Sequence, residues 1–295
     1  ISQYETAKYK HIKDFNKTAK HILELPSVSD KSFLITVGDR SVSGLVSRDQ
    51  MIGDCQVPVS NVAATLTDMN SKSGEVITIG ERPIPSIYNV SSSIDLSLGE
   101  IITNISCCNI KKLENIKLSA NWMASSSNKY EMSKLFFGVR RLSELCKELN
   151  LTIPVGKDSL SMKTSWKIGK KDFEVESPVS LVLSAFSKIR NTDDIVTPDL
   201  QGNGEIYLID LGNNNQRMGG SAFEQIKSSI SSDVPKIDNI NIIKKFFKLS
   251  QILISKKIIS AYHDKSDGGL FATLAEMAFS GNKSLKIDKI LSYIN

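Results

Sequence analysis

Histidine and cysteine are scarce in this chain: three His and four Cys occur among 295 residues. Cys55, Cys107, Cys108 and Cys146 make no CxxC pair, and His11, His21 and His263 are dispersed, so no zinc site is readable. Such cysteine usage fits a reduced, cytoplasmic compartment. No apolar run reaches the ~18 residues that a membrane span needs. Glycine (17) and proline (8) are too few for a collagen-like or low-complexity chain. Arginine is rare as well. Arg40, Arg48, Arg82, Arg140, Arg141, Arg190 and Arg217 are all there are, and the +5 net charge rests on scattered lysine pairs such as Lys111-Lys112 and Lys256-Lys257. Nucleic-acid grooves favour arginine forks gathered on one face, so a dedicated nucleic-acid binder is not expected. The opening Ile1-Ser2-Gln3-Tyr4 is neither a signal peptide nor an initiator Met, and the expectation is a piece of something longer.

What is present is ordinary globular composition, 40% apolar and 23% charged, at a length for one large domain or two smaller ones. A helix is expected from about Phe15 to Leu25, broken at Pro26. Phe33–Val37 reads as a buried strand ending at Gly38, and Glu75–Ile79 as another. Leu135, Val139, Leu142, Cys146 and Leu149 recur on one helical face, so Glu131–Asn150 is the clearest amphipathic helix. A strand Leu151–Val155 follows, and Val179–Phe186 carries a long strand signal. Beyond an aperiodic stretch, Glu205–Leu211 reads as a strand, with a glycine loop Gly212–Gly220 and a helix from about Ser221. A strand ending near Ala261-Tyr262, a loop His263–Gly269 and a helix Leu270–Phe279 complete the pattern. The expected class is α+β. The divisions are a leader over 1–31, a first domain over 32–190, a linker over 191–204 and a second unit over 205–295 that reads as cut short.

Several segments offer chemistry. Gly38–Gly44, with Asp39 and Arg40, reads either as an anion-binding loop or as a hairpin turn with an internal ion pair. Glu100 and Asn104, at i and i+4 in Leu98–Asn104, share a helix face and present two hard oxygens, as a Mg²⁺ site or any solvated helix would. His263-Asp264-Lys265-Ser266-Asp267-Gly268-Gly269-Leu270 brings acids, a lysine and a hydroxyl into a Gly-Gly turn opening a helix. Backbone N–H groups there suit a phosphate, with Asp264 holding its counter-ion. The same segment also reads as a helix capped by Ser266 or Asp267. Gly212–Gly220 lacks both P-loop and dinucleotide-fold spacing. Gly156–Lys163 reads as a phosphate loop or a solvated turn. Adjacent Cys107 and Cys108 cannot form an unstrained disulfide, Cys55 and Cys146 read as turn and core residues, and no Cys–His nucleophile pair is suggested.

Taken in order, Phe33–Asn61, Gly74–Pro83, Leu96–Ile105, Ile116–Ser125, Leu151–Trp166, Ser177–Ile189 and Ala261–Gly281 resemble the second half of the large, single-chain phosphoribosylformylglycinamidine synthases of purine biosynthesis. The resemblance implies an aminoimidazole-ribonucleotide-synthase-like (PurM-like) N-domain followed by an incomplete PurM-like C-domain. It implies an ATP- and glutamine-dependent carbon–nitrogen ligase that converts formylglycinamide ribonucleotide to its amidine. The missing parts, the first synthetase half and the glutaminase domain, would be partners in the same chain or in trans. It places the catalytic residues outside this segment and leaves it an auxiliary site for ATP or ADP with Mg²⁺. Residue by residue, Glu100, Asn104 and Asp264 fall on metal ligands, and Ser266 and Ser60 on nucleotide contacts. Asn61 falls where the family has an aspartate that ligates the metal, so this chain's site carries one negative charge fewer. Gly156 falls near nucleotide phosphate and Ser159 near substrate. The competing reading is a non-catalytic structural or degenerate nucleotide-binding module of the same fold.

Overall fold

The computed structural model describes residues 12–41, 44–213, 215–229 and 231–287. Ile1–Tyr4, His11, the Val42-Ser43 step of the Gly38–Gly44 loop, Asn214 and the last eight positions lie outside them. The elements run α1 (Phe15–Leu23), α2 (Ser32–Val37), β1 (Val46–Arg48), β2 (Ala63–Leu66), β3 (Gly74–Glu81), α3 (Pro83–Ser86) and α4 (Val90–Ile105). They continue with β4 (Lys117–Met123), α5 (Lys129–Leu149), β5 (Thr152–Ser159), β6 (Lys163–Ile168), β7 (Lys171–Glu176), β8 (Ser180–Ile189), α6 (Ala222–Ile226), α7 (Ile240–Ser255) and α8 (Gly269–Ser280). The mixture is α+β, as the sequence suggests.

Six strands form one sheet in the order β1-β2-β3-β8-β4-β5, antiparallel except where β4 meets β5. Helix α5 carries the chain between that parallel pair, the crossover such a pair requires. Strands β3 and β8 alternate strictly. Val76 and Thr78 in β3, and Leu181, Leu183 and Ala185 in β8, point to the buried face. On that face lies α4, whose Leu98, Ile101, Ile102 and Ile105 are buried against the sheet. The amphipathic helix predicted over 131–150 is α5, with Leu142, Cys146 and Leu149 in the core and Leu135 partly buried, whereas Val139, expected on the same face, is exposed. Asn128 caps it through side-chain bonds from the Tyr130 and Glu131 amides, and Asn150 ends it in the left-handed conformation.

The close approach of α4 to the sheet depends on Gly80. A Cβ there would lie 2.5 Å from the Ser97 carbonyl oxygen and 2.8 Å from Ile101 Cγ1. Gly80→Ala is therefore expected to lower stability by about 1–3 kcal/mol, read as a drop in the urea midpoint at constant slope.

Three predicted strands are not strands. Phe33–Val37 lies within α2 because Asp30 Oδ1 takes the Ser32 amide at 3.0 Å and Thr36 Oγ1 bonds back to the Ser32 carbonyl. No ladder forms there among the described residues, and Phe33, Leu34 and Val37 are exposed, so the apolar run lacks the burial its composition suggests. Glu205–Leu211 joins neither sheet, with Tyr207 and Leu208 exposed. The segment at Ala261-Tyr262 makes one bond of strand type, from the Tyr262 amide to the Thr197 carbonyl, with no ladder. The predicted Gly156–Lys163 loop begins as strand, because β5 pairs with β4 through Ser159.

All four cysteines are free. Cys55 is exposed, Cys146 is buried, and the buried Cys107 and Cys108 sulfurs stand 3.6 Å apart. Burial, together with the neighbouring Cys107 thiol, holds the Cys108 thiol well above its usual range. Among the described residues no helix is long and apolar enough to cross a membrane.

Candidate functional site

Four separated stretches meet at the end of β3. Its last residue, Glu81, and the following Arg82 face the middle of α4, where Glu100 and Asn104 stand one turn apart. Asn61, just ahead of β2, and the loop His263–Asp267, ahead of α8, close the cluster. Their link is the His263 ring: Nδ1 lies 2.7 Å from Asn61 Oδ1, and Nε2 lies 2.8 Å from Glu276 Oε2 on α8. The Asn61 carbonyl is itself fixed by the Thr78 hydroxyl at 2.8 Å, and Tyr262 Oη donates to the Thr103 carbonyl at 2.7 Å. These bonds dock the segment before α8 onto β3 and α4.

The cluster is acidic and largely dry. Glu100 is the most constrained member: Oε2 accepts the Glu81 amide at 2.9 Å, and Oε1 meets Arg82 Nη2 at 2.9 Å. Burial pushes the Glu100 carboxyl up to about 7; Arg82 and the Glu81 amide oppose the shift, while the Asp264 and Glu81 charges add to it. Asp264 is buried, and desolvation raises its carboxyl too, against the attraction of His263 and Arg82. Desolvation also raises Glu81. Arg82 Nη1 reaches Asp267 Oδ1 at 3.3 Å, so one guanidinium spans two acids.

Of the residues singled out in the sequence, Glu100, Asn104, Asp264 and Asn61 come together here. Ser60 adjoins the cluster, with its hydroxyl donating to the Val62 carbonyl at 2.7 Å. Ser266 sits in the turn before α8, where its carbonyl accepts the Gly269 amide. Gly268 and Gly269 both have positive φ (84° and 68°), the conformation that turns the loop into α8 without strain in glycine. Gly156 and Ser159 are not brought in. They lie on β5, three strands from β3, about 14 Å across the sheet at the usual strand spacing. Gly156 has a local role: its Cβ would lie 2.8 Å from the Ala120 carbonyl. Gly212–Gly220 also stands apart, with Arg217 paired to Asp238 at 2.6 Å.

Sequence reasoning missed Glu81, Arg82, His263 and Glu276 as members of the site. The Gly80-Glu81-Arg82-Pro83 step at a strand end carried a signal for the first two. Nothing local marked Glu276, which is one acid on an apolar helix.

Among the described residues, no three His, Cys, Asp or Glu side chains converge to hold a metal ion by themselves. The candidate donors are instead two carboxylates, Glu100 and Asp264, and two amides, Asn104 and Asn61, a hard-oxygen set suited to Mg²⁺. Asn61 bears on the fit directly. Its Nδ2 is buried with no hydrogen-bond partner. Half a turn of the amide offers that nitrogen to His263 Nδ1 and puts the carbonyl oxygen where the orphan atom now lies, an oxygen suited to a cation. The donor types fit a hard divalent ion, whereas the Glu100 oxygens are committed to protein donors.

Comparison with known proteins gives the following. The family model described as the FGAR-AT PurM_N-like domain matches residues 30–188, more than half of the chain. The model for the AIR synthase related protein C-terminal domain matches residues 205–289. Among solved structures, T. maritima PurL complexed with FGAR aligns at TM-score 0.57 and 11% identity, over 79% of this chain and 35% of that one. T. maritima PurL complexed with ATP aligns at TM-score 0.41 and 11% identity, over 57% and 24%. The hydrogenase maturation protein HypE aligns at 0.41 and 13%, over 74% and 61%. The first of these alignments shows a shared PurM-like fold. The chain spans about a third of the length of that PurL.

Proposed function

Because the chain belongs to the FGAR-AT PurM_N-like domain family, we propose that it works as part of a phosphoribosylformylglycinamidine synthase and holds a nucleotide with Mg²⁺ at the Glu81–Asp264 cluster. The observation that carries this reading is the convergence of Glu100 and Asn104 on α4, Asn61 and Asp264, three separated stretches, onto one buried acidic cluster. Folding places such carboxylates together against their mutual repulsion and desolvation, a cost that a bound cation offsets. In this reading Glu100, Asp264, Asn104 and Asn61 hold the ion, and Ser60 and Ser266 contact the nucleotide. When bound, Mg²⁺ neutralises phosphate oxygens and fixes their orientation. The turn before α8 adds backbone N–H groups and the positive end of a 12-residue helix. Asp264 sits at the base of that turn, with its Oδ1 3.5 Å from His263 Nδ1.

The site is auxiliary in this reading: it binds and organises nucleotide, and the catalytic residues of amidine formation lie in the rest of the synthase. The sheet face opposite α4 supports docking of that remainder, since Ile77, Ile79, Val155 and Phe186 expose apolar surface on it. Formylglycinamide ribonucleotide, ATP and glutamine are accordingly substrates of the assembled enzyme.

Thermal unfolding tests the proposal. Mg·ADP at about 100 times its dissociation constant is expected to add about 2.7 kcal/mol and raise the midpoint, with no rise for ADP in EDTA. No rise at millimolar Mg·ADP would overturn the nucleotide reading and favour a scaffold.

A further inference from the structure

Arg82 occupies the cluster as a cation. Its side chain is 15% exposed, and its guanidinium spans Glu100 and Asp267 at 2.9 and 3.3 Å. The backbone on either side is anchored: the Glu81 amide is bound to Glu100 Oε2, and the Arg82 carbonyl accepts the Ser93 hydroxyl. Among the described residues, the Glu100 carboxylate is therefore bound by the Glu81–Arg82 step. A divalent ion would take one of those oxygens at about 2.0–2.1 Å, which sets it against the guanidinium already bound to Oε1. Two cations cannot hold one buried carboxylate at that range without strong repulsion.

From this geometry we infer that Arg82 is a built-in competitor of the divalent cation: its guanidinium neutralises Glu100 in the metal-free protein and must leave it for the ion to enter. Asp267 gives the released fork a nearby half-exposed acid, so the exchange needs only a side-chain movement. Asn61 makes the competition sharper. As a neutral amide it attracts the ion less than an aspartate would, while Arg82 retains its hold. The device sets a threshold, so the site loads at high divalent concentration and otherwise rests as a closed ion pair. This inference rests on the proposed metal site and concerns how that site is controlled.

Calorimetry with Mg²⁺, and Mn²⁺ binding followed by electron paramagnetic resonance, test it on the whole chain without nucleotide. Arg82→Met is expected to bind Mn²⁺ at least about tenfold tighter than the natural sequence, and Arg82→Lys to stay within about threefold of it. If the natural chain binds and Arg82→Met binds equally or more weakly, Arg82 is a support and the competition is overturned while the metal site stands. If neither binds, both the inference and the metal reading fall. Should Arg82→Met not fold, the natural protein still decides: side-chain ¹⁵N resonances of Arg82 must shift on Mg²⁺ titration, and unchanged resonances in a protein that binds Mg²⁺ overturn the inference.

Discussion

Asp264→Asn is expected to weaken Mg²⁺ and Mg·ADP binding by at least about 100-fold while leaving the metal-free fold as stable or more stable. A purely structural aspartate would show the opposite, a loss of stability with no selective loss of binding. The stability half follows from the electrostatics. Glu81, Glu100 and Asp264 all have carboxyls raised by burial, and the Asp264 charge is among the causes that raise Glu100. Removing that charge while keeping the side-chain shape relieves repulsion and desolvation together. Calorimetric binding and a chemical melt in EDTA separate the two effects.

The same cluster gives a pH dependence for the metal-free protein. Glu100 titrates at about 7 in the fold against an ordinary 4.5, so between those values the native state holds a proton that the unfolded chain has lost. Stability from this group is present in full below about 4.5 and falls as pH rises to about 7, by no more than about 3 kcal/mol. Asp264→Asn should flatten that slope. A melt series in EDTA from pH 5 to 8 that shows no slope, or rising stability, would contradict the assignment.

Arg141→Met is expected to cost about 3–5 kcal/mol. Asp95, in α4, is almost fully enclosed. Its Oδ1 and Oδ2 meet Arg141 at 2.6 and 2.9 Å, and Oδ2 also accepts the Ile237 amide at 3.0 Å. One carboxylate thus ties the helix that carries Glu100 to α5 and to the segment leading into α7. Removing the arginine strands a buried charge, and burial already raises the Asp95 carboxyl despite its partner. Protonation of Asp95 limits the damage, so the loss should be larger at pH 8 than at pH 5. A midpoint unchanged at both values would show that the pair contributes nothing.

Much of the site was legible as fragments. The i, i+4 spacing of Glu100 and Asn104 placed them on one face of α4, and the glycine pair after Asp267 marked the turn into α8. Neither fragment announced the other. Residues 61, 100 and 264 are joined by strand pairing and by the His263–Asn61 bond, contacts that no local window contains. Phe33–Val37 misled for a related reason. Its β-branched, apolar character suits a strand, but a strand exists only where a neighbour accepts its hydrogen bonds, and the local bond from the Ser32 amide to Asp30 favours a turn of helix instead. Gly156 and Ser159 read as a phosphate loop by composition, whereas register with β4 makes them strand.

The amino-acid sequence alone determined the α+β class, the buried helix face of α5, the free cysteines and the donor types available to a cation, because periodicity and side-chain chemistry are local properties. Tertiary structure decided which donors meet and what already holds them. The sheet order brings the end of β3 against α4, and with it a guanidinium onto Glu100. That placement follows from non-local pairing and close packing, which a linear pattern does not encode.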